Sequence, residues 1–291
     1  MPAAIPSLGL NLPYVEGSMD GATPRWADIL AMATAAEEMG FEAVWISDHV
    51  GFGDPEGEWS GAWESWTLLS ALAVATTRVR LGTYVSAAPF RNPALLAKMA
   101  ETLDEVSGGR VILGLGAGWN EPEFRAYGFP YERRFDRFED GLRIITSMLR
   151  TGRADHEGRE ESARAARIQP RGPRPSGPPV MVGAAGPRML RLTAELADEW
   201  NAGMRAPEDL APMVAKVDAA CAAVGRDPGT LARSAETLVE TGAGLGPEAV
   251  VARLRRYGEL GIGHVQVQLR PNSIDGVRAF APILEAIGRR P

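Results

Sequence analysis

A histidine and an aspartate directly follow an apolar segment of the chain, where side chains are well placed for chemistry. The segment Ala43–Ser47 has the length and composition of a buried strand, and Asp48 and His49 come next. Because imidazole titrates near neutral pH, His49 is a candidate proton donor or acceptor. His264 stands instead at the start of another apolar segment. His156 lies in an arginine-rich stretch, and we expect it to be exposed to solvent.

A glycine-rich stretch runs into two carboxylates further along the chain. Gly116 and Gly118 follow an apolar run, and such glycines let a planar ligand approach the backbone closely. The cluster resembles part of a dinucleotide-binding fingerprint, but no clear ribose-binding acid follows the next apolar run. Glu121 and Glu123 are candidate acid–base groups, although a surface carboxylate at a helix start is an equally simple reading. The sequence leaves open which of the two acts, if either does.

A second glycine-containing turn precedes a proline. The residues Gly183, Ala184, Ala185 and Gly186 lead directly into Pro187, which suits the first position of a helix. Free backbone N–H groups and the positive end of the helix would converge there, and that geometry suits a phosphate. A simple tight loop is nearly as good an interpretation.

Apolar runs short enough for buried strands alternate with segments of helical period, which is typical of an α/β protein with a parallel sheet. About eight repeats predict a closed (β/α)₈ TIM barrel. Functional residues of such barrels lie at the C-terminal ends of strands, which favours His49 over His264. The predicted strands are Ser7–Leu12, Ala43–Ser47, Val79–Tyr84, Val111–Leu115, Pro179–Gly183, Glu199–Ala202, Ala235–Glu240 and His264–Leu269.

Proline and glycine mark the predicted helix ends, since proline suits a first helical position and glycine the residue after the last. Thr23 and Pro24 open the first helix. Asn92 and Pro93 open another, which Gly108 ends. The same opening signal recurs at Pro187, Pro207 and Pro247.

Two stretches interrupt this pattern, at residues 51–63 and 152–178. Both are rich in loop-forming or charged residues, and we expect both to be lid loops at the barrel mouth. Apart from these loops, residues 1–291 are predicted to form a single barrel domain, because α/β barrels commonly reach this length.

The composition of the chain limits which molecules it can bind and in which cellular compartment we expect it. The net charge of −6 argues against a general nucleic-acid binder, and no apolar run is long enough to span a membrane. The first residues do not resemble an export signal, so we expect a cytoplasmic protein. Cys221 is expected to be a buried structural thiol. Three scattered histidines offer no spaced ligand cluster, so no metal site is predicted.

Taken together, the motifs resemble the luciferase-like monooxygenase superfamily, particularly its branch of deazaflavin F420-dependent oxidoreductases. The resemblance covers almost the whole chain. The matching segments are Ala43–His49, Leu81–Val85, Arg91–Ala94, Ser107–Arg110, Gly114–Phe124, Arg134–Leu142 and Gly183–Pro187.

The resemblance implies site residues as well as a fold. Asp48 and His49 match the family's Asp-His pair, in which the histidine lies at the edge of the cofactor ring and can donate a proton. Thr83, Tyr84 and Val85 match a strand end that carries a bulge or a nonprolyl cis peptide against that ring. The pair Asn120 and Glu121 matches one that supplies a catalytic carboxylate in some F420 enzymes, although the preceding loop is shorter here. The cofactor phosphate is expected near Gly186.

These implications lead to one principal hypothesis and two alternatives. The principal hypothesis is an oxidoreductase that uses F420 for hydride transfer to or from a small organic substrate. The alternatives are an FMN-dependent monooxygenase and a barrel that binds a flavin or deazaflavin without turnover. Where some F420 enzymes have a tryptophan soon after the histidine, this chain has Phe52, with Trp59 and Trp63 further on. The family also favours a homodimer.

Overall fold

Parallel strands paired side by side form the centre of the fold. The computed structural model describes residues 4–54, 56–241 and 244–288. Its strands are β1 (Ser7–Asn11), β2 (Ala43–Ile46), β3 (Gly51–Gly53), β4 (Trp59–Gly61), β5 (Arg80–Thr83), β6 (Ser86–Ala87), β7 (Val111–Gly116), β8 (Arg153–Glu157), β9 (Ser162–Arg167), β10 (Val180–Gly183), β11 (Glu199–Met204), β12 (Ala232–Glu240) and β13 (His264–Arg270).

The central sheet closes on itself. Among the described residues its eight long members follow the order β1-β2-β5-β7-β10-β11-β12-β13. Strand β13 pairs in parallel with β1, where His264 lies opposite Ser7, and β10 pairs with β7, where Val180 lies opposite Leu113. The fold is therefore a (β/α)₈ barrel, as the alternating pattern predicts, and each predicted strand is present with bounds shifted by a few residues.

Helices separate the strands and begin and end close to the expected signals. They are α1 (Trp26–Glu38), α2 (Ser65–Ala75), α3 (Pro93–Ser107), α4 (Glu121–Tyr127), α5 (Arg134–Thr151), α6 (Pro187–Leu196), α7 (Pro207–Ala223), α8 (Pro247–Glu259), α9 (Ile274–Ala279) and α10 (Ala281–Ala286). The Asn92 side chain accepts a hydrogen bond from Leu95 N at 3.1 Å and so caps α3. Proline occupies the start of α6, α7 and α8.

The start of α1 differs from the prediction. Helix α1 begins at Trp26, because Arg25 has an extended backbone and is its N-cap residue. The carboxylate of Asp28 accepts a hydrogen bond from Arg25 N at 2.9 Å, which fixes the helix start after Pro24 rather than at Thr23.

Residues 51–63 and 152–178 are predicted to be lid loops, but each contains an antiparallel hairpin. Their role as lids stays a prediction. Strand β3 pairs with β4, and β8 pairs with β9. In the second hairpin Ala154 and Ala163 are buried between exposed neighbours. Each strand thus buries a single small residue, and the charged residues around it give the sequence no strand pattern.

Ion pairs attach the second hairpin and the segment after it to two helices. Arg137 on α5 contacts Glu160 and Glu161, each at 2.9 Å, in the turn between β8 and β9. After the hairpin, Arg171 contacts Glu101 on α3 at 2.9 Å. His156, which was expected to be exposed, is half-buried and contacts Asp140 at 3.3 Å.

The chain divides into two compact units of contacts. One comprises residues 4–46, 78–80 and 183–288, apart from 242 and 243, and the other comprises 47–77 and 81–182, apart from 55. The first unit buries Leu10 and Trp45, and the second buries Leu113 and Ile145. Cys221, in the first unit, is fully buried, and burial raises the pKa of its thiol. This confirms the expectation of a structural cysteine. Among the described residues, no helix has both the length and the apolar character of a membrane span.

Glu199 on β11 is a carboxylate whose ionisation opposes folding. Burial raises its pKa, and the hydrogen bond from Ser234 and the charge of Arg80 only partly offset that effect. Among the described residues, its buried Oε1 atom has no hydrogen-bond partner. Because the folded protein holds the proton more tightly than the unfolded chain, stability falls as the pH rises from the ordinary carboxyl range through the raised pKa.

Glu199→Gln is therefore expected to raise the free energy of unfolding by about 1–2 kcal/mol near pH 8 and to change it little near pH 4. Urea unfolding at the two pH values measures the difference. The exposed Glu285→Gln is the control and should show no such pH-dependent gain. An equal gain for Glu199→Gln at both pH values would show that ionisation of Glu199 is not the cause.

Candidate active site

His49 is held from behind by a buried carboxylate. Its Nδ1 atom lies 2.8 Å from Oε2 of Glu123, whose side chain is fully buried on the first turn of α4. The other carboxylate oxygen accepts hydrogen bonds from Val50 N and, at 3.2 Å, from Gly51 N. A carboxylate can accept these bonds and a further one from Asn120 Nδ2 at 3.3 Å, and the tautomer with a hydrogen on Nδ1 lets His49 donate to it. Among the described residues nothing hydrogen-bonds to Nε2.

Asn120 also holds the segment that follows His49 in place. Its Nδ2 donates to Gly51 O at 3.0 Å and lies 3.3 Å from Glu123 Oε2. The backbone at Gly51 is thus bonded through both its N–H and its C=O. The residue before α4 therefore positions the histidine loop instead of capping its own helix, which has no side-chain cap.

Asp48 is buried and bonded to protein groups on both oxygens. Ser65 Oγ donates to Oδ1 at 2.7 Å, and the Arg91 guanidinium donates to Oδ2 at 2.5 Å and Oδ1 at 3.0 Å. Arg91 also contacts Glu64 at 2.7 Å. Burial by itself would lower the pKa of Arg91, but Asp48 and Glu64 raise it overall. This network ties the loop that carries His49 to the start of α2, which gives Asp48 a positioning role.

The structure separates the two candidate glutamates. Glu121, which the resemblance singled out, is 39% exposed and pairs with Arg125 at 2.5 Å along the surface of α4. Glu123, two positions later, is the carboxylate in contact with His49. A direct role for Glu121 in catalysis stays a prediction, whereas the geometry assigns the support of His49 to Glu123.

The third barrel strand ends as the resemblance predicts. The peptide bond between Tyr84 and Val85 is cis, which confirms the expected nonprolyl cis peptide. Thr83 is buried, and its hydroxyl bonds the Gly114 backbone on the neighbouring strand, at 2.8 Å to the carbonyl. A side chain at Gly114 would meet Thr83 O at 2.0 Å, so this close approach requires glycine.

The other glycines of this stretch also make room for protein atoms. A Cβ atom at Gly116 would lie 2.8 Å from Val85, and one at Gly118 would lie 2.5 Å from the Phe124 ring. The space that these glycines leave is therefore filled by their neighbours. Their predicted contact with a cofactor stays a prediction without support from the packing.

Two aromatic rings flank His49. The Phe52 ring centroid lies 4.5 Å from that of His49, and the Trp119 centroid lies 5.6 Å away in an edge-to-face arrangement. Trp119 is 65% exposed. Sequence reasoning gave neither ring a role, although Phe52 is three residues after the histidine and Trp119 directly precedes Asn120.

The predicted phosphate turn lies in the first unit. Gly183 ends β10, Ala184 N donates to Asn201 O at 3.3 Å, and Gly186 is the N-cap residue of α6. No side chain caps this helix, and the position that a Cβ would take at Gly186 is open. The predicted phosphate site at this turn, which includes Ala185, stays a prediction. No group of three or more His, Cys, Asp or Glu side chains suited to a metal ion occurs within residues 4–54, 56–241 and 244–288.

The chain belongs to the luciferase-like monooxygenase family, whose model matches residues 7–258, and it is an enzyme of that family. It is 30% identical to a 5,10-methylenetetrahydromethanopterin reductase of Archaeoglobus fulgidus over 66% of this chain and 53% of that one. It is also 31% identical to the pyrimidine monooxygenase RutA of Cronobacter sakazakii over 69% of this chain and 61% of that one. The chain thus spans between half and two thirds of these relatives' length.

Solved structures share the fold. An F420-dependent secondary alcohol dehydrogenase in complex with an F420-acetone adduct superposes with a TM-score of 0.78 at 19% identity and covers 99% of both chains. A monooxygenase, RslO1 of Streptomyces bottropensis, superposes with a TM-score of 0.75 at 19% identity over 96% of this chain and 99% of that one. Both reductases and monooxygenases therefore occur among proteins similar to this chain.

Proposed function

We propose that the protein is an oxidoreductase that uses coenzyme F420 for hydride transfer to or from a small organic substrate. The observation that carries the proposal is His49, whose Nδ1 is held by the buried Glu123 while Nε2 has no hydrogen bond within the described part of the chain. An imidazole fixed through one nitrogen and open at the other is suited to proton transfer. The similarity to a reductase supports the choice of reaction.

In such a reaction the cofactor and the residues His49 and Glu123 have different roles. When bound, F420 would supply or accept the hydride, a step that protein side chains cannot perform. In the reducing direction, His49 Nε2 donates the accompanying proton to the substrate oxygen. Glu123 stabilises the imidazolium before that transfer and keeps the ring in one orientation. In the oxidising direction, neutral His49 accepts the proton from the substrate hydroxyl.

The alternative cofactor is FMN, and the similarity to a monooxygenase supports it. Oxygen activation by a reduced flavin requires a site from which water is excluded, because water diverts reactive species. Here Trp119, beside His49, is 65% exposed, so this alternative requires that the bound cofactor or substrate covers that ring.

Titration of the protein with F420 and with FMN, followed by fluorescence, tests the proposal. We expect F420 to bind at least about tenfold more tightly than FMN and reduced F420 to be oxidised only when a carbonyl substrate is present. Tighter binding of FMN together with oxygen consumption would favour the monooxygenase. Binding of F420 without turnover of any substrate would favour a non-catalytic carrier, and binding of neither would contradict all three.

The predicted phosphate turn offers a matched pair of variants for the same titration. Gly186 and Gly246 are both N-cap residues, each precedes a proline, and a Cβ at either meets open space. Gly186→Glu is expected to weaken cofactor binding about tenfold or more, since its carboxylate repels a phosphate. Gly246→Glu should leave binding unchanged. Equal effects of the two variants on cofactor binding would show that the phosphate does not bind at the turn before α6.

A further inference from the structure

The aromatic rings beside His49 form one continuous surface. The centroids of Phe52 and Trp119 lie 6.4 Å apart with their planes tilted by 37°, and both rings contact His49. All three residues belong to the same compact unit. We call Phe52, Trp119 and the adjoining His49 ring the ring surface.

The backbone on both sides of the ring surface is held in place. Phe52 lies in β3, opposite Ser60 of β4, and the preceding Gly51 is bonded by Asn120 and Glu123. On the other side, Gly118 has a φ of +76°, and its carbonyl accepts a hydrogen bond from Arg134 at 3.2 Å. The backbone that carries both rings is thus fixed before a ligand arrives, which lowers the entropy cost of binding.

Exposure of the ring surface favours an apolar ligand. Trp119 leaves 65% of its area in water, although an indole gains free energy when apolar area is covered. The charged side chains nearest in sequence to Trp119 are paired, Glu121 with Arg125 and Glu123 with His49. Near Phe52, Asp54 accepts a hydrogen bond from Glu56 N at 3.0 Å. The chemistry of the surface therefore favours a flat ring over an anion.

We propose that the ring surface binds the organic substrate and selects planar, conjugated ring compounds that carry a carbonyl or hydroxyl oxygen. A planar ring stacks on Phe52 and Trp119, and its oxygen then accepts or donates a hydrogen bond at His49 Nε2. Only the assignment of this ligand as the substrate rests on the proposed function. The binding preference itself follows from the rings, because a saturated ring has no π face to present.

Calorimetric titration of the full-length protein with two ketones of the same carbon skeleton tests the proposal. The planar probe is 2-acetylnaphthalene and the saturated probe is 2-acetyldecahydronaphthalene. We expect the planar ketone to bind about three- to tenfold more tightly than the saturated one. Trp119→Leu and Phe52→Leu should each weaken binding of the planar ketone by about the same factor and leave the saturated ketone little changed.

Tyr127→Leu is the matched control. Tyr127 is 52% exposed on α4 and stacks with Phe129, and its replacement should leave both ketones unaffected. Equal binding of the two ketones, or planar-ketone binding that neither ring variant weakens, would overturn the proposal. So would a loss of F420 or FMN affinity in Trp119→Leu without any loss for the ketone, since the rings would then serve the cofactor. Failure of F420 to bind, with the ketone preference intact, would contradict the proposed function alone.

Discussion

Glu123→Gln is expected to lower the rate of the catalysed reaction by about 10²- to 10⁴-fold, the usual contribution of a positioned acid–base group. The amide oxygen of glutamine can still accept from Val50 N and Gly51 N, so the loop should keep its place. The amide NH₂ would then face His49 Nδ1, where the carboxylate now accepts a hydrogen. This reverses the required tautomer and removes the charge that stabilises the imidazolium.

The matched control for this prediction is Glu121→Gln. That residue is exposed and pairs with Arg125, so its replacement should change the rate less than about threefold. Because Glu123 acts through His49, the loss in Glu123→Gln should appear in kcat while KM changes little, which a general disturbance of the loop would not produce. If Glu121→Gln lost most of its activity and Glu123→Gln kept the wild-type rate, Glu121 would be the catalytic carboxylate, as the family resemblance indicates.

Arg91→Met is expected to lower the free energy of unfolding by about 3–5 kcal/mol, because it leaves a buried carboxylate without its counter-charge. Asp48 is only 1% exposed, and two of its three hydrogen bonds come from Arg91. Methionine fills a similar volume, so the loss reports the charge more than a cavity. Urea unfolding of the purified variant gives the value.

An exposed pair provides the comparison for Arg91→Met. Arg125→Met removes the pair with Glu121, in which the side chains are 74% and 39% exposed, and should cost less than about 1 kcal/mol. Arg91→Lys keeps the charge but loses the bidentate hydrogen bonding, so its free energy of unfolding should lie between those of wild type and Arg91→Met. A loss in Arg91→Met no larger than that of Arg125→Met would show that Asp48 does not depend on its buried partner.

The barrel and the position of His49 could be predicted from the sequence because both depend on local patterns. Fully buried parallel strands appear as short apolar runs, and prolines mark helix starts, so the eight strands and the starts of α6, α7 and α8 follow without knowledge of tertiary contacts. The rule that functional groups follow barrel strands then selects His49.

The choice between Glu121 and Glu123 could not be made in the same way. Residues two positions apart on a helix point in directions about 200° apart, and only the packing of α4 decides which of them faces inward. The ion pair between Asp48 and Arg91 could not be predicted either, since the two residues are 43 positions apart. The sequence around Arg91 is explained equally well by the start of a helix. The rings of Phe52 and Trp119 meet only because strand β3 and the segment before α4, which are far apart in the sequence, both approach His49.

The hairpin formed by β8 and β9 has a consequence for how the protein responds to ionic strength. Its turn is attached to α5 through Arg137, Glu160 and Glu161, all partly exposed, whereas the strands of the barrel are held by buried apolar side chains. Salt shortens the Debye length from about 10 Å at 0.1 M to about 3 Å at 1 M, and so weakens exposed ion pairs but not apolar burial. Concentrated salt should therefore loosen this appendage, and increase its proteolysis and hydrogen exchange, while the barrel stays folded.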